Sequence, residues 1–584
     1  MQSFALVSKN KNKIRKEMSS RQSLHTITTT TSMILLWPSA VSLLLLALVP
    51  PPGAAVDPST ENCGHLPGTL PSPLSPTLSP TTVVDPTTLH SKLMAGYQGW
   101  FDTPCSSYKN AKWKHWAHRG GPAPDPTHYQ FEMWPDLSEY DDDEFCPTGF
   151  TYQDGTNAGL FSSYNSKTVD RHVQWMADYG IDGVFLQRFL NQLDDELCFE
   201  DKVLDNIRTS SERYGRVFAN MYDLGKHTDN VVQRIKDDWM YLVDVQEITQ
   251  SPSYLYHRGR PLVSVWGFGV ANRPGEPQEV IELIDWFHNN PMERYRATVK
   301  GGVPNGWQDL GASSKKEEGW AEAYRSFDVL SPWSVGRYKG VDGADDFARK
   351  VTIPNAAECE ELGIDYMPVV WPGFSWSYKN LRYPDLDEPF NKYPRMAGEF
   401  FWRQVHNSLE AFSDTVEGRQ VYVAMFDEVD EATSVMKLAA SKAQIPTEGQ
   451  FLTMDADGTA VPSDWYLQLM GKATASLRAE GRVPIDMPKL LPPVTNDESN
   501  DEKQALAGPS LEEGTIMALS MASSGDTQPP TGGPTSRPTA DEDDAFVVAS
   551  SIKSFESSGS GSPGLDLRAV LACCVVILQS VLAR

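Results

Sequence analysis

The stretch 161-FSSYNSKTVDRHVQWMADYGIDGVFLQRF-189 decides the fold, because its pattern changes once along its length. Over 168–179 apolar residues return every three or four positions, the mark of an amphipathic helix. After Gly180 the run 182–187 reads as a strand. Working outward, the same alternation recurs on both sides. Strands are predicted at 93–97, 182–187, 216–222, 262–266, 297–303, 328–332, 365–371 and 421–426, and helical pattern is clearest at 168–179, 230–242, 277–288 and 398–412. Eight strands separated by helices predict an α/β protein, a (β/α)8 TIM barrel forming a single catalytic domain over 87–485. An open doubly wound sheet is the second architecture. No Gly-rich fingerprint follows the first strand, which weighs against a dinucleotide-binding version.

The flanks differ from this body. In 584 residues, 51 Lys and Arg stand against 77 Asp and Glu, a net charge of −26 that repels phosphate backbones, so no nucleic-acid partner is expected. Lys9, Lys11, Lys13, Arg15, Lys16 and Arg21 precede an apolar run over 33–49. Residues 1–55 are therefore predicted to be a signal peptide cut near Ala55, with an uncleaved signal anchor as the rival reading. A Pro/Ser/Thr-rich linker covers 56–86. Residues 486–558 read as an acidic, disordered stalk, since 491–558 hold 12 acidic and 3 basic side chains. Small residues, a spacer and an apolar tail over 559–584 follow the order of a GPI-attachment signal, which is removed. Together these predict a monomer on the secretory pathway, held at the cell surface or released outside it, with a lipid anchor as its membrane contact. A Golgi type II membrane protein is the alternative. Cys105 and Cys146 are the expected disulfide pair, and neither C-x-x-C nor H-E-x-x-H occurs, so no metal and no cofactor is expected.

In a (β/α)8 barrel, chemistry gathers where the strands end at the C-terminal face. The predicted strand ends carry Tyr97-Gln98, Gln187-Arg188, Tyr222-Asp223, Trp266, Pro304-Asn305, Trp333, Trp371 and Asp427-Glu428. The sharpest feature is 426-FDEVDEAT-433, with Asp427, Glu428, Asp430 and Glu431 inside five positions. In a dry site such charges repel, so at least one carboxyl should keep its proton near neutrality, as glycosidic cleavage requires of its acid. The alternative is a solvated acidic loop.

Nine motifs extend this reading: AGYQGWF (95–101), WKHW (113–116), MWPDLSEY (133–140), the 161–189 stretch, NMYDL (220–224), VSVWGFG (263–269), PWSVGRY (332–338), PVVWPGFSW (368–376) and AMFDEVDEAT (424–433). In these motifs the chain resembles the glycoside hydrolase family 71/99-like proteins, its xylosidase/arabinosidase group, related to endo-α-mannosidases. The resemblance implies a (β/α)8 barrel and a catalytic N-E-W-x-E-G motif, which here becomes D-E-V-D-E-A and departs at Asp427, Val429 and Ala432. It implies that Glu428 is a base on the sugar 2-hydroxyl, giving a 1,2-anhydro sugar, and that Glu431 is the general acid and then base. An ordinary retaining or inverting pair is the other possibility. Trp100, Trp116, Trp266, Trp333 and Trp376 are expected as stacking platforms. His115 is expected to bond a hydroxyl, while Arg188 and Arg337 either orient a carboxylate or close structural ion pairs. Tyr97, Gln187, Tyr222, Asp223, Trp371 and Asp427 complete the expected carbohydrate-binding set. The expected activity is glycoside hydrolysis at the cell surface, with a noncatalytic carbohydrate-binding protein or a scaffold protein as alternatives.

Overall fold

Eight strands run parallel around a ring: β1 (Lys92–Tyr97), β2 (Gly183–Phe189), β3 (Val217–Asp223), β4 (Arg260–Trp266), β5 (Thr298–Gly302), β6 (Val329–Leu330), β7 (in two pieces, Asp365–Tyr366 and Val369–Val370) and β8 (Gln420–Val423). The computed structural model describes residues 83–489 except 119, 120, 227 and 417. Each strand pairs with the next, and β1 pairs with β8 in the register Lys92 opposite Gln420. The ring closes through β7. Met367 N donates to Leu330 O of β6 at 2.8 Å, and Tyr422 N of β8 donates to Pro368 O at 2.9 Å. Pro368 has no N–H to give, so the predicted single strand 365–371 breaks there and its halves serve different neighbours. The architecture is the expected (β/α)8 barrel, and no strand edge is left open around it.

Helices cover the outside: α1 (Ser166–Asp178), α2 (Leu193–Tyr214), α3 (Val231–Asp244), α4 (Pro277–Asn289), α5 (Gly319–Tyr324), α6 (Gly340–Phe347), α7 (Ile353–Leu362), α8 (Glu399–Glu410) and α9 (Trp465–Glu480). The Asn165 side chain caps α1 by accepting from Lys167 N, and the apolar stripe read from the sequence, with Val169, Val173 and Met176, is buried against the barrel. Gly215, in the left-handed conformation at φ 62°, ends α2 and lets the chain enter β3.

The long β1-to-α1 connection carries an antiparallel hairpin of Cys146–Thr151 and Asn157–Leu160, tied down by the expected Cys105–Cys146 disulfide. Cys198 is also disulfide-bonded, and Cys359 is a buried free thiol. The predicted signal peptide, most of the predicted linker, nearly all of the predicted acidic stalk and the predicted lipid-anchor signal lie outside the described residues. Among the described residues, no helix is long and apolar enough to cross a membrane.

Candidate active site

Successive strand residues point alternately into the barrel and toward the helices, so of two neighbours at a strand end only one faces the mouth. This alternation sorts the expected residues. At the end of β1, Gln98 turns inward, while the Tyr97 hydroxyl meets His172 Nδ1 of α1 at 2.8 Å. On β2, Gln187 reaches Met221, but Arg188 points out and grips Asp238 through Nε and Nη2, each at 2.8 Å, with Asp201 at 3.0 Å. On β3, Asp223 faces Arg273, whereas the Tyr222 hydroxyl donates to Asp238 at 2.8 Å. Tyr97, Arg188 and Tyr222 are thus corrected: they belong to the interface between barrel and helices. Two tryptophans are corrected as well. Trp116 is fully buried among Phe101, Phe131 and Phe161 and donates to Phe161 O, and Trp371 is fully buried against Tyr338, Tyr393 and Phe400.

The carboxylates after β8 are inside the mouth. Asp427 is fully buried and clamped by the backbone N–H groups of Gln98 and Gly99 at 2.7 and 2.8 Å; burial pushes its pKa up to about 6. Glu428 accepts from Gln98 Nε2 at 2.6 Å and from the Thr433 hydroxyl. Burial first, then the neighbouring Glu431 charge, raises its pKa. Asp430 is raised by burial and by Glu428 and Glu431. Glu431 is more open, at 29% side-chain exposure, with Lys379 Nζ 4.0 Å away. The acidic run is therefore a set of largely desolvated groups, unlike a solvated loop.

A further carboxyl belongs to a segment bonded to the same loop. Glu132 is fully buried, accepts from Tyr378 N at 2.8 Å and Ser377 Oγ at 3.1 Å, and is pushed up to about 7 by burial. The backbone N–H groups of Glu132 and Met133 both donate to Val429 O, so this segment braces the acidic loop after β8. Glu132, Tyr378, Lys379 and Arg273 were not predicted, because they come from loops with no strand pattern to place them. Gln98 and Thr433 sat inside quoted motifs without an assigned role.

Aromatic rings stand at several of the strand ends. Trp100 and His115 stack almost parallel, with centroids 3.7 Å apart at 6°, and His115 Nδ1 lies 3.0 Å from Asp430 Oδ2. Burial, helped by Lys114, lowers the His115 pKa well below its usual value and keeps the imidazole neutral. Trp266 and Trp333 meet edge to face at 5.5 Å. The Arg273 guanidinium covers the Trp266 ring at 4.6 Å while bonding Asp223 at 3.1 Å. Lys379 Nζ lies 3.4 Å from the Trp376 ring centroid. Arg337 donates to Ser313 Oγ at 2.6 Å.

No protein-family model and no curated protein matches the sequence. Among solved structures, the chain is similar to a GH99 endo-α-mannosidase from Bacteroides thetaiotaomicron at 13% identity, covering 67% of this chain and 98% of that one with a TM-score of 0.48. It is also similar to a glycoside hydrolase-like protein at 12% identity, covering 62% and 98% with a TM-score of 0.39. A third, the GH5_18 protein from Streptomyces cattleya, shares 11% identity over 56% and 77% with a TM-score of 0.33. These structural neighbours are glycoside hydrolases or named as similar to them.

At the opposite end of the barrel, one trio among the described residues has metal-ligand chemistry: His90, His257 and Asp365. Its hydrogen bonds do not fit a cation. His257 Nδ1 accepts from Leu89 N at 3.2 Å, so the ring proton sits on Nε2, which donates to Asp365 Oδ2 at 2.7 Å. A metal at Nε2 demands the other tautomer, and Arg258 already donates to the same carboxylate at 2.9 Å. The trio fastens the bottom of the barrel.

Proposed function

We propose that the protein is a secreted or surface-tethered glycoside hydrolase that cleaves O-glycosidic bonds in a polysaccharide or glycan with Glu428 and Glu431 as its catalytic pair. The observation that carries this reading is the cluster of desolvated carboxyls at the C-terminal mouth of the barrel, joined through Asp430 to the stacked His115 and Trp100. A purely structural barrel has no reason to concentrate like charges in a dry mouth, where each carboxyl costs desolvation. Trp100, Trp266, Trp333 and Trp376 supply ring faces, and Gln187, Asp223 and Asp427 supply polar groups around the same mouth. A xylosidase, arabinosidase or endo-α-mannosidase specificity follows the sequence resemblance.

The two glutamates differ in environment. Glu428 is nearly closed off, so it enters the reaction protonated and serves the leaving oxygen. Glu431 is more open and lies 4.0 Å from Lys379 Nζ, which leaves it the role of base or nucleophile. This order reverses the one implied by the family motif.

The deciding experiment incubates the full chain with defined oligosaccharides and follows products by mass, alongside Glu428→Gln and Glu431→Gln. Cleavage that both variants lose supports the reading. Folded variants that cleave at the wild-type rate overturn it. Binding without cleavage transfers the site to the carbohydrate-binding alternative, which the hydrogen bonds occupying both Glu428 oxygens favour.

A further inference from the structure

Next to the carboxylates lies a cavity of about 260 Å3 lined by Lys114, His115, Gln130, Gln192, Glu196 and Arg382. One wall is the His115 ring, whose Nδ1 bonds Asp430 between the two catalytic glutamates in sequence. Another wall is Arg382, at the end of the short turn Lys379–Arg382 that begins with the counter-ion of Glu431. Two segments that line the cavity thus also touch the acidic loop that carries the catalytic pair.

Its charge runs against that of the molecule. The chain carries −26, yet residues 103–124 contain Lys109, Lys112, Lys114 and Arg119 with no Asp or Glu. Lys112 and Lys114 both pair with the single carboxylate of Glu196, which leaves one positive charge over. Glu200 stands near Lys114, but burial pushes it up to about 7 and so toward its neutral form. Arg382 is exposed, its guanidinium 5.0 Å from the Tyr383 ring, and no carboxylate pairs with it among the described residues. A guanidinium fork without a protein partner, at a cavity with surplus positive charge, suits an anion that accepts two hydrogen bonds. The amides of Gln130 and Gln192 and the outer edge of His115 are hydroxyl partners in the same cavity.

We propose that this cavity is a subsite for an anionic sugar unit, one bearing a uronate carboxylate or a sulfate ester, on the glycan whose linkage Glu428 and Glu431 cleave. The proposal rests on the glycoside hydrolase reading and narrows it. Carboxylate and sulfate present the same charge and oxygen geometry, and separate arms of the test tell them apart.

The test measures kcat/KM of the full chain on matched neutral, uronate-bearing and sulfated oligosaccharides. The expected result is a preference for one anionic series, which narrows with added salt and falls by roughly 10-fold relative to the neutral series in Arg382→Gln. Arg382 is exposed, and a thermal melt confirms that the variant folds. Equal rates on neutral and anionic substrates, or a preference that survives Arg382→Gln, overturn the subsite. If no glycan is cleaved, glucuronate and glucose 6-sulfate are titrated against the full chain with glucose as the reference. Salt-sensitive binding of either anion, weakened in Arg382→Gln, upholds the subsite although the hydrolase reading has failed. No preference for an anion overturns it.

Discussion

Gln98 Nε2 donates to Glu428 Oε1 at 2.6 Å, joining the end of β1 to the residue proposed to protonate the leaving group. The same residue's backbone N–H clamps Asp427 at 2.7 Å, so one position holds two neighbouring carboxyls. Gln98→Leu keeps the backbone clamp and deletes the side-chain bond. Its expected effect is a fall in kcat of up to about 10²-fold with little change in melting temperature, because a displaced reacting group costs rate more than stability. Unchanged kcat and pH profile would show that Glu428 needs no such guide.

The proposed catalytic pair separates by leaving group. Glu428→Gln is expected to lose roughly 10²- to 10⁴-fold on ordinary glycosides and much less on aryl glycosides whose leaving group needs little protonation. Glu431→Gln is expected to fail on both. If the rescue appears in Glu431→Gln instead, the roles are those implied by the family motif.

Stability should depend on pH through Glu132. Its pKa rises from 4.5 in the unfolded chain to about 7 in the fold, so its contribution is whole below pH 4.5 and is lost as pH climbs through 7. Glu132→Gln removes that loss. Relative to wild type, the variant should gain stability steadily between about pH 4.5 and pH 8, by an order of about 3 kcal/mol at most. Paired melting curves across this range check it, and a difference that is flat with pH refutes the buried titration.

Arg188 tests the distinction between the outward and inward faces of a strand. Arg188→Leu strands Asp238 and Asp201 in a buried layer and should cost about 3–5 kcal/mol of stability. The protein that still folds should bind substrate with an unchanged KM. A raised KM with an unaltered melt would return Arg188 to the binding site.

Much of this architecture is legible in the chain because its strands and several helices repeat two clean periods. Runs such as 216–222 and 262–266 locate strands, and 168–179 and 277–288 locate helices, each to within about two residues of the structure. Helix α2 is not legible, since its sequence LDDELCFEDKVLDNIRTSSERY buries Glu196, Glu200, Asp201 and Asn206 along with its apolar residues. The candidate site was half legible. The run of acids shows in the sequence, but which member of Tyr97-Gln98, Gln187-Arg188 and Tyr222-Asp223 faces inward depends on strand phase, and a shift of one residue exchanges the two faces. The loop residues Glu132 and Lys379 enter through tertiary packing alone, with no local period to announce them.

The pairing of β1 with β8 brings together positions such as Gln98 and Glu428 that stand 330 residues apart in the chain. Nothing upstream can hold the place of that last strand, and a ring with such distant partners forms its closing contacts late. The synthesising ribosome must therefore pass Thr433 before the proposed constellation can assemble, and every shorter nascent chain lacks part of it. That order of assembly postpones the completed mouth until β8 and the loop after it have been made.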